Sequence, residues 1–423
     1  MPGRLYSLGV AALRYGTRLA AVFHPKARAR DRGARATLRT LAPTPPGRDA
    51  YWMQCASVGE FEQGRPVWER LRACAPGARF VLTFYSPSGM DFYGGRDDLG
   101  EVVYLPWDSP GAAAAFVGRL SPKLALFVKY EWWLHFHAEL RRGGTPTVVF
   151  SVAFRPGQPF FRRRHLLHED YREALSGVTE VFVQSAASAR LLRAHDYPTP
   201  ATVAGDTRLD RVLAIADDPG RDERIEAWLA RGSGPVLVAG STWPPDEEGL
   251  AELLRTRDDY RIIVATHEVS AGAVGRVTRR LAAGHPVGYA ALAGDPASGG
   301  SAGASRVLVL DVKGVLARAY RYGDLAYVGG GFGAGVHNVL EAAVYGKPVA
   351  FGPRHARFDE AVDLAAAGVA VPLRRPRDLV TFAAAFDDPT ARARVREAAA
   401  AYVRDGRGAS DVITGALAAR DLI

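Results

Sequence analysis

The sequence contains very little cysteine. Its 423 residues include only Cys55 and Cys74, which form no metal-ligand spacing and have no second pair beside them. Small secreted domains held by disulfides need many more cysteines, and structural zinc sites need closely spaced pairs. The composition therefore argues against a disulfide framework. It predicts a protein of the reducing cytoplasm in which both cysteines are small core residues.

The sequence also lacks the marks of disorder and of repeat architecture. Hydrophobic residues make up 48% and charged residues 23% of the chain, which is the composition of an ordinary globular protein. No solenoid period appears, and the segment 290–305, rich in Ala, Gly and Ser, predicts a mobile loop. A chain of 423 residues exceeds what one hydrophobic core usually organises, so two domains are expected.

The charge of the chain is unbalanced, with a formal net charge of +9. The expected partners are therefore anionic: nucleic acid, a phospholipid surface or a phosphorylated substrate. No recognised nucleic-acid motif occurs, and the basic residues cluster near the N-terminus instead of alternating with aromatic residues. A non-catalytic polyanion binder is thus disfavoured, and we expect no nucleic-acid partner.

Residues 1–40 form a leader with an apolar stripe and a basic segment. Arg14 and Arg18 interrupt the apolar part, and each would cost roughly 2.5 to 3.5 kcal/mol at the centre of a bilayer, so a spanning helix is disfavoured. The stripe follows helical spacing over Leu5, Leu8, Ala12, Tyr15, Leu19 and Val22, and the basic segment contains Lys26, Arg28, Arg30, Arg32, Arg35 and Arg39. Two interpretations stand: an amphipathic helix at an anionic membrane surface, or a helix that caps the first domain.

Beyond the leader, short apolar runs alternate with helix-length segments, which is the pattern of a parallel sheet. The predicted strands cover 51–56, 80–84, 102–105, 124–128, 147–152 and 181–183, and a second series covers 235–239, 261–265, 306–310, 324–328 and 348–351. The sequence therefore predicts an α/β fold with two Rossmann-like, doubly wound domains. We place the N-terminal domain at 41–215 and the C-terminal domain at 225–423.

The stretch 324–352 carries the strongest local signal. An apolar run at 325–328 leads into the glycine loop 329–335, and the segment 336–343 predicts a helix that opens from this loop. The first turn of a helix offers free N–H groups, so we expect a phosphate site, with a tight strand-to-helix turn as the alternative. His337, Asn338 and Glu341 would share one helix face. Glu341 is a candidate partner of a nucleotide ribose, and a solvated helix face is the alternative.

A set of short segments occurs in a characteristic order. They are Gln54-Cys55-Ala56-Ser57-Val58-Gly59-Glu60, then 83–89, 128–133, 205–210 and 239–242, and finally the glycine loop with 337–341. From about residue 5 to residue 371 the chain resembles the 3-deoxy-D-manno-octulosonic acid (Kdo) transferases of lipopolysaccharide biosynthesis. The nearer rival is an enzyme of another nucleotide sugar, such as a UDP-sugar transferase or epimerase. The Ser57 to Glu60 motif favours the Kdo transferases.

The resemblance implies a glycosyltransferase of the GT-B type, in which two Rossmann-like domains face a cleft. It implies transfer of Kdo from CMP-Kdo to a lipid A precursor of the lipid IVA type, with inversion of the anomeric centre and with no metal or other cofactor. It also implies a location at the cytoplasmic face of the bacterial inner membrane, held peripherally or by an N-terminal anchor. The anionic surface of that membrane is then a further partner.

Residue by residue, the resemblance implies that Glu60 is the catalytic base and that Glu131 is the second acidic residue. The expected donor-binding residues are Ser241, Thr242, His267, Gly330, Gly331, Phe332, Gly335, His337, Asn338 and Glu341. The expected acceptor-binding residues are Ser57, Gly59, Ser86, Ser88 and Arg162, where a solvated basic loop is the alternative for Arg162. The segment 265–270 departs from the Pro-Arg-His-Pro-Glu-Arg of many members: His267 is retained, but both arginines are missing.

The chemistry of the carboxylates supports these roles independently. An attacking sugar hydroxyl must lose its proton, and a carboxylate in a strand-to-helix turn such as Glu60 suits a general base. The alternative is a carboxylate that only stabilises its own helix dipole. Two interpretations of Glu62 stand: a solvated neighbour, or a like charge that raises the pKa of Glu60. Glu131, beside Trp132 and Trp133, is predicted either in a partly apolar site with a raised pKa or exposed at a helix start.

Overall fold

The structure, a computed structural model, describes residues 2–293 and 305–423. Most of the predicted loop 290–305 lies outside the described residues. The chain divides into two compact units. Unit 1 comprises Met1–Arg211 and Arg407–Ile423, and unit 2 comprises Val212–Gly406.

Unit 1 is built on a sheet of seven parallel strands in the order β3-β2-β1-β4-β5-β6-β7. The strands are β1 (Ala50–Cys55), β2 (Arg79–Phe84), β3 (Glu101–Tyr104), β4 (Leu124–Val128), β5 (Thr147–Val152), β6 (Glu180–Val183) and β7 (Ala201–Val203). The central strands are buried along their whole length because helices cover both faces of the sheet. Alternate residues of β1 serve the two faces, so that Trp52 and Met53 lie in different core clusters.

The helices of unit 1 cover both faces of this sheet. They are α1 (Arg4–Ala20), α2 (Pro25–Thr40), α3 (Val58–Cys74), α4 (Pro87–Tyr93), α5 (Pro110–Leu120), α6 (Leu134–Arg142), α7 (His168–Ser176), α8 (Ala186–Ala194) and the C-terminal helix α18 (Ala409–Ala418). Helix α9 (Thr207–Asp217) contains the boundary between the two units.

The unit to which the C-terminal helix belongs differs from the predicted domain ranges. Helix α18 belongs to unit 1, although the predicted C-terminal domain 225–423 included it. Its residues Ile413 and Leu417 are buried in the same cluster as Trp68 of α3. The backbone N–H groups of Gly408 and Ser410 also donate to the carboxylate of Asp210, at 2.7 and 2.6 Å. The apolar spacing of a helix does not reveal which sheet it covers.

The leader forms two helices that belong to unit 1. In α1, the predicted stripe is exposed, from 50% at Leu5 to 73% at Leu19, whereas Tyr6 is buried. Helix α2 packs on β3 so closely that a Cβ added at Gly33 would lie 2.0 Å from the ring of Tyr104. The leader is therefore part of a packed unit. Within the described residues, no helix is both long and apolar enough to cross a bilayer.

Unit 2 contains a second parallel sheet, with the order β10-β11-β9-β8-β12-β13-β14. Its strands are β8 (Val236–Thr242), β9 (Arg261–Thr266), β10 (Val287–Gly288), β11 (Val307–Val309), β12 (Leu325–Val328), β13 (Val349–Phe351) and β14 (Ala370–Pro372). Its helices are α10 (Glu223–Leu229), α11 (Pro244–Thr256), α12 (Ala271–Arg280), α13 (Leu316–Ala319), α14 (Leu340–Ala343), α15 (Asp359–Ala366), α16 (Asp378–Ala385) and α17 (Pro389–Gly406).

Both sheets have a point at which the strand order reverses. In unit 1 the first strand β1 lies between β2 and β4, and in unit 2 the first strand β8 lies between β9 and β12. The crevice at the carboxyl ends of the strands at such a switch point is where open α/β sheets bind their ligands. The prediction of two doubly wound α/β domains is confirmed, and the switch points locate the two candidate sites.

Candidate functional site

The two predicted catalytic carboxylates flank the switch point of unit 1. Glu60 lies in the first turn of α3, directly after β1, and Glu131 lies in the segment after β4. Because β1 and β4 are neighbours in the sheet, the two residues come to the same edge. The charge of Glu131 acts on Glu60 there.

The surroundings of Glu60 make it a poor acid and a strong base. Burial, followed by repulsion from Glu131, raises the pKa of Glu60 to about 8, and the backbone N–H of Ala56 and the charge of Lys129 oppose this rise. The Ala56 N–H donates to Glu60 Oε2. Of the two interpretations of Glu62, the like charge is wrong, because Glu62 forms ion pairs with Arg211 and Arg65 and accepts from the hydroxyl of Tyr93. The repelling charge is Glu131.

The side chain of Glu131 is buried and accepts hydrogen bonds from two neutral donors. Its side chain is 7% exposed, so the alternative of an exposed residue at a helix start is wrong. Gln54 Nε2 and Trp133 Nε1 donate to Glu131 Oε2 at 2.6 and 2.7 Å. Burial raises the pKa of Glu131, whereas these two hydrogen bonds and the charge of Arg30 oppose the rise. The donors to Glu131 favour a division in which Glu131 carries the negative charge and Glu60 takes the proton.

A buried arginine from the leader supports this pair. The guanidinium carbon of Arg30 lies 4.4 Å from the ring centroid of Tyr85 and 4.5 Å from that of Trp107. Tyr85 in turn stacks on Trp133, with centroids 4.9 Å apart. Because Arg30 is 4% exposed, its predicted place in a basic segment that faces lipid headgroups is wrong. No spacing in the sequence links Arg30 to the motif residues.

The predicted acceptor-binding residues divide into two groups. Ser57 precedes α3 and Ser86 precedes α4, so both follow strands that end at the same sheet edge as Glu60. Ser86 Oγ accepts from the Ser88 N–H at 3.3 Å. Gly59, in the first turn of α3, is exposed. Arg162 is exposed on a separate loop, and within the described residues no hydrogen bond or ion pair joins it to the carboxylates.

In unit 2, the end of β8 is distorted. Ser241 has φ +53°, a left-handed conformation that few residues other than glycine adopt, and the pairing of β8 with β9 is irregular between Ala239 and Thr242. Thr242 is buried, and its hydroxyl donates to the carbonyl of Ala265 at 3.4 Å. Of the two predicted donor-binding residues at the end of β8, Ser241 lies at the crevice, whereas Thr242 joins β8 to β9.

The glycine loop is fixed by a buried carboxylate. Asp246 in α11 accepts from the N–H of Gly330 at 3.0 Å, the N–H of Trp243 at 2.8 Å and the hydroxyl of Tyr327 at 2.5 Å. A Cβ added at Gly331 would lie 2.6 Å from the nitrogen of Gly352, so this glycine is required for close backbone packing. The tight-turn interpretation therefore explains part of the glycine content of the loop.

The predicted helix after the loop is much shorter than expected. Helix α14 covers only Leu340–Ala343, so His337 and Asn338 precede it. The prediction that they share a helix face with Glu341 is therefore wrong. This segment does not follow the helix because the N–H of His337 donates to the carbonyl of Gly329 at 3.2 Å. Asn338 and Glu341 still meet, since Asn338 Nδ2 donates to Glu341 Oε1 at 3.0 Å. So short a helix has little dipole, which weakens the predicted phosphate site at its N-terminus.

His337 instead joins His267 and Trp243 in a group of three rings, which we call the ring cluster. The centroids of His267 and His337 are 4.3 Å apart, and those of Trp243 and His267 are 4.7 Å apart. Phe332, predicted to bind the donor, packs partly buried against the core of unit 2. Trp243 was not among the predicted site residues, although it directly follows the 239–242 motif.

Two arginines that the sequence analysis missed lie against the glycine loop. Arg354 Nη1 donates to the carbonyl of Gly333 at 2.6 Å, and Arg357 Nη2 donates to the carbonyl of Ala334 at 2.8 Å. Both follow β13, whose carboxyl end adjoins that of β12. They bring positive charge to the loop. Among the described residues, no group of three or more His, Cys, Asp or Glu side chains is arranged to hold a metal ion.

Sequence comparison points to one family. A family model described as 3-deoxy-D-manno-octulosonic-acid transferase (Kdo transferase) matches residues 26–211. The 3-deoxy-D-manno-octulosonic acid transferase of Bordetella pertussis is 28% identical over 401 residues, which cover 89% of this chain and 87% of that protein. The transferase of the same name from Aquifex aeolicus is 22% identical, with 72% of this chain and 76% of that protein covered.

Solved structures share the fold. A UDP-GlcNAc 2-epimerase from Neisseria meningitidis bound to UDP-GlcNAc has a TM-score of 0.61 at 13% identity, and 87% of this chain and 99% of that chain are covered. A glycosyltransferase from Rickettsia africae has a TM-score of 0.57 at 12% identity, and 89% of this chain and 99% of that chain are covered. At such identities the likeness concerns the fold alone, which is of the GT-B type. The sequence relatives, and not the fold, separate a transferase from an epimerase.

Proposed function

We propose that this glycosyltransferase, whose sequence is similar to the Kdo transferases, transfers Kdo from CMP-Kdo to a lipid A precursor of the lipid IVA type. The observation that carries this proposal is the carboxylate pair Glu60 and Glu131 at the switch point of unit 1. Burial raises the pKa of both members, repulsion from Glu131 raises that of Glu60 further, and two hydrogen bonds to Glu131 oppose the rise there. This arrangement suits a proton acceptor at Glu60 beside an anion that stabilises positive charge.

In the proposed reaction, the hydroxyl oxygen of the acceptor attacks the anomeric carbon of Kdo while the bond from that carbon to the phosphate oxygen of CMP breaks. Glu60 takes the hydroxyl proton, and CMP leaves with the bonding electron pair as a phosphate monoester. Attack on the face opposite the leaving group inverts the anomeric centre. The anionic Glu131 stabilises the positive charge that develops on the sugar ring.

The donor nucleotide is proposed to bind at the switch point of unit 2. Asn338 and Glu341 are hydrogen-bonded to each other there, and a carboxylate of this kind is suited to accept from ribose hydroxyls. Arg354 and Arg357 supply positive charge at the glycine loop, close to where a phosphate would lie. The proposed transfer therefore needs no metal ion to balance the charge of the leaving group.

Glu341→Ala and Asn338→Ala should each weaken CMP binding by about 1 to 3 kcal/mol, because a buried polar contact is lost. Glu341→Gln keeps the shape and the hydrogen bond to Asn338, so it separates loss of charge from loss of structure. Isothermal titration calorimetry with CMP measures the effect. Unchanged affinity in both alanine variants would place the nucleotide elsewhere.

A peripheral membrane location is proposed from the exposed stripe of α1. Leu8, Leu19 and Phe23 are 67%, 73% and 81% exposed, and such an apolar surface on a soluble protein usually marks an interaction site. The basic side chains of α2 other than Arg30 are also exposed, and they would lie near anionic headgroups. The helix lies in the interface in this proposal, with Tyr6 holding it to the unit through Asp108.

Replacing Leu8, Leu19 and Phe23 together with Gln should lower binding to anionic phosphatidylglycerol vesicles by at least about tenfold, because their apolar area no longer enters the interface. Co-sedimentation at physiological salt measures this loss. Val362→Gln, at an exposed valine of unit 2, is the matched control. Removal of all residues 1–39 would also remove Arg30, so it would test the active site as well. Undiminished sedimentation of the triple variant contradicts the proposal.

The proposed function is tested by mass spectrometry. A lipid IVA-type precursor is incubated with the protein and a CMP-Kdo generating system, and the product should gain the mass of Kdo. Parallel reactions with UDP-sugars test the rival substrates. Chelation by EDTA should leave the rate unchanged, and a loss of activity that Mg²⁺ restores would overturn the metal-free mechanism. No mass gain with active CMP-Kdo synthesis would overturn the proposed function.

A further inference from the structure

Trp243 is an unusually exposed side chain for its type. Its indole is 38% exposed, and it is the only aromatic among the exposed large apolar side chains in the described part of unit 2. It follows β8 and precedes α11, so it lies at the carboxyl end of the first strand, beside the switch point. Indoles are usually largely buried in folded proteins. An exposed indole in such a crevice is therefore a candidate contact for a ligand.

The ring cluster has a flat geometry. Trp243 Nε1 donates to His337 Nε2 at 3.0 Å, and the planes of these two rings differ by 16°. Their centroids are 6.5 Å apart, whereas His267 lies within 4.7 Å of both. Trp243 and His337 therefore lie edge to edge in nearly one plane, and His267 covers the seam between them. The result is an aromatic surface wider than a single side chain.

The ring cluster is uncharged at neutral pH. Indole N–H is only a donor, so His337 Nε2 must accept and His337 is the neutral tautomer with its proton on Nδ1. Burial, followed by the charge of a protonated His267, lowers the pKa of His337 to about 4. Burial also lowers the pKa of His267. An uncharged aromatic surface suits a planar ring better than it suits a phosphate, which needs cations or clustered N–H donors.

The ring cluster lies directly against the glycine loop. A Cβ added at Gly330 would come within 2.9 Å of His337 Nε2, so the loop and the cluster are in close contact. Arg354 and Arg357 bind the carbonyls of the same loop. The crevice of unit 2 thus places cations and an aromatic surface against the same loop. A nucleotide has a matching division into a charged phosphate and an uncharged base.

We propose that the ring cluster is the stacking surface for the base of the donor nucleotide, and that Trp243 determines the affinity for this base. The inference rests on the proposed function in taking CMP-Kdo as the donor. Stacking on an aromatic side chain recognises the planar face that every base has, so the contribution of Trp243 does not depend on the hydrogen-bonding edge of cytosine.

Trp243→Ala should weaken both CMP and cytidine by the same factor, about 5- to 150-fold. Ribose 5-phosphate, which has the sugar and the phosphate but no base, should bind the variant and the wild type equally. Calorimetry with the three ligands measures these constants. Equal losses for ribose 5-phosphate and CMP would overturn the proposal, because the cluster would then recognise the sugar or the phosphate.

Trp243→Phe is the matched variant, because phenylalanine keeps an aromatic face but cannot donate to His337. It should bind cytidine within about threefold of the wild type. CMP should quench the tryptophan fluorescence of the wild type and quench that of Trp243→Phe much less. If Trp243→Phe loses as much affinity as Trp243→Ala, the hydrogen bond to His337 matters and the stacking proposal is wrong. Thermal unfolding of both variants by circular dichroism shows whether the fold is kept, and the fluorescence comparison holds even if Trp243→Ala unfolds.

Different experimental results would contradict the stacking role of Trp243 and the proposed function. If the wild type binds no CMP and transfers no Kdo, the proposed function is wrong. If the wild type binds CMP and transfers Kdo, but Trp243→Ala binds cytidine unchanged, only the stacking role of Trp243 is wrong.

Discussion

Glu60→Gln should lower turnover by about 10²- to 10⁴-fold while CMP affinity stays unchanged. Glutamine keeps the size of the side chain but cannot accept the hydroxyl proton. Because the carboxylate is the active form and its pKa is raised to about 8, the wild-type kcat/KM should increase as the pH rises through about 8 and then level off. The Gln variant should lack this increase. Rates from pH 6 to 10 with a saturating donor measure both effects.

Glu69→Gln is the matched control, because Glu69 lies on the same helix α3 but is half exposed and paired with Arg65. It should transfer Kdo at the wild-type rate and keep the wild-type pH profile. Near-normal transfer by Glu60→Gln, with CMP affinity intact, would end the assignment of Glu60 as the base.

Glu131→Gln should have two separate effects. At high pH, turnover should fall by about 10²-fold, because the positive charge that develops on the sugar loses its anionic neighbour. The increase in rate with pH should also move to lower pH. Removing the charge of Glu131 removes a repulsion that raises the pKa of Glu60, so Glu60 ionises more easily.

The two variants together assign the roles. If Glu131 were the base, Glu131→Gln would lose the pH-dependent increase and Glu60→Gln would keep it, the reverse of the expected pattern. An unchanged pH profile in Glu131→Gln would show that the two carboxylates are not coupled. Calorimetry with CMP is the control, because unit 1 holds both carboxylates and the proposed nucleotide site lies in unit 2.

The charge pattern of the leader did not predict which of its basic residues is buried. The helical spacing predicted one apolar face on α1, and the structure shows that this face is exposed. Arg30 is the basic residue for which the surface interpretation is wrong. A run of arginines along a helix has the same composition whichever of them faces the protein. The aromatic rings that cover Arg30 come from Tyr85 and Trp107, after β2 and β3, and only the packing of α2 on β3 brings them together.

The prediction for the glycine loop and the helix after it is partly wrong for a related reason. Strand β12 and the loop were predicted, but the helix after it begins at Leu340 and not at Val336. The apolar spacing of 336–343 fits a helix, yet the N–H groups of Val336 and His337 bond to Arg354 and Gly329 across the loop. Long-range backbone hydrogen bonds therefore override the local preference.

The sequence by itself determined the fold class, the central strands of both sheets and the motif residues at their carboxyl ends. Buried parallel strands need continuous apolar runs, and such runs are visible in the sequence. It missed β7, β10 and β14, which are two or three residues long and lie at or near the sheet edges. Only the tertiary structure decided the return of α18 to unit 1, the placement of Arg30 and the meeting of Trp243 with both histidines. These contacts join residues far apart in the chain, and packing between helices and strand ends, which no local spacing encodes, brings them together.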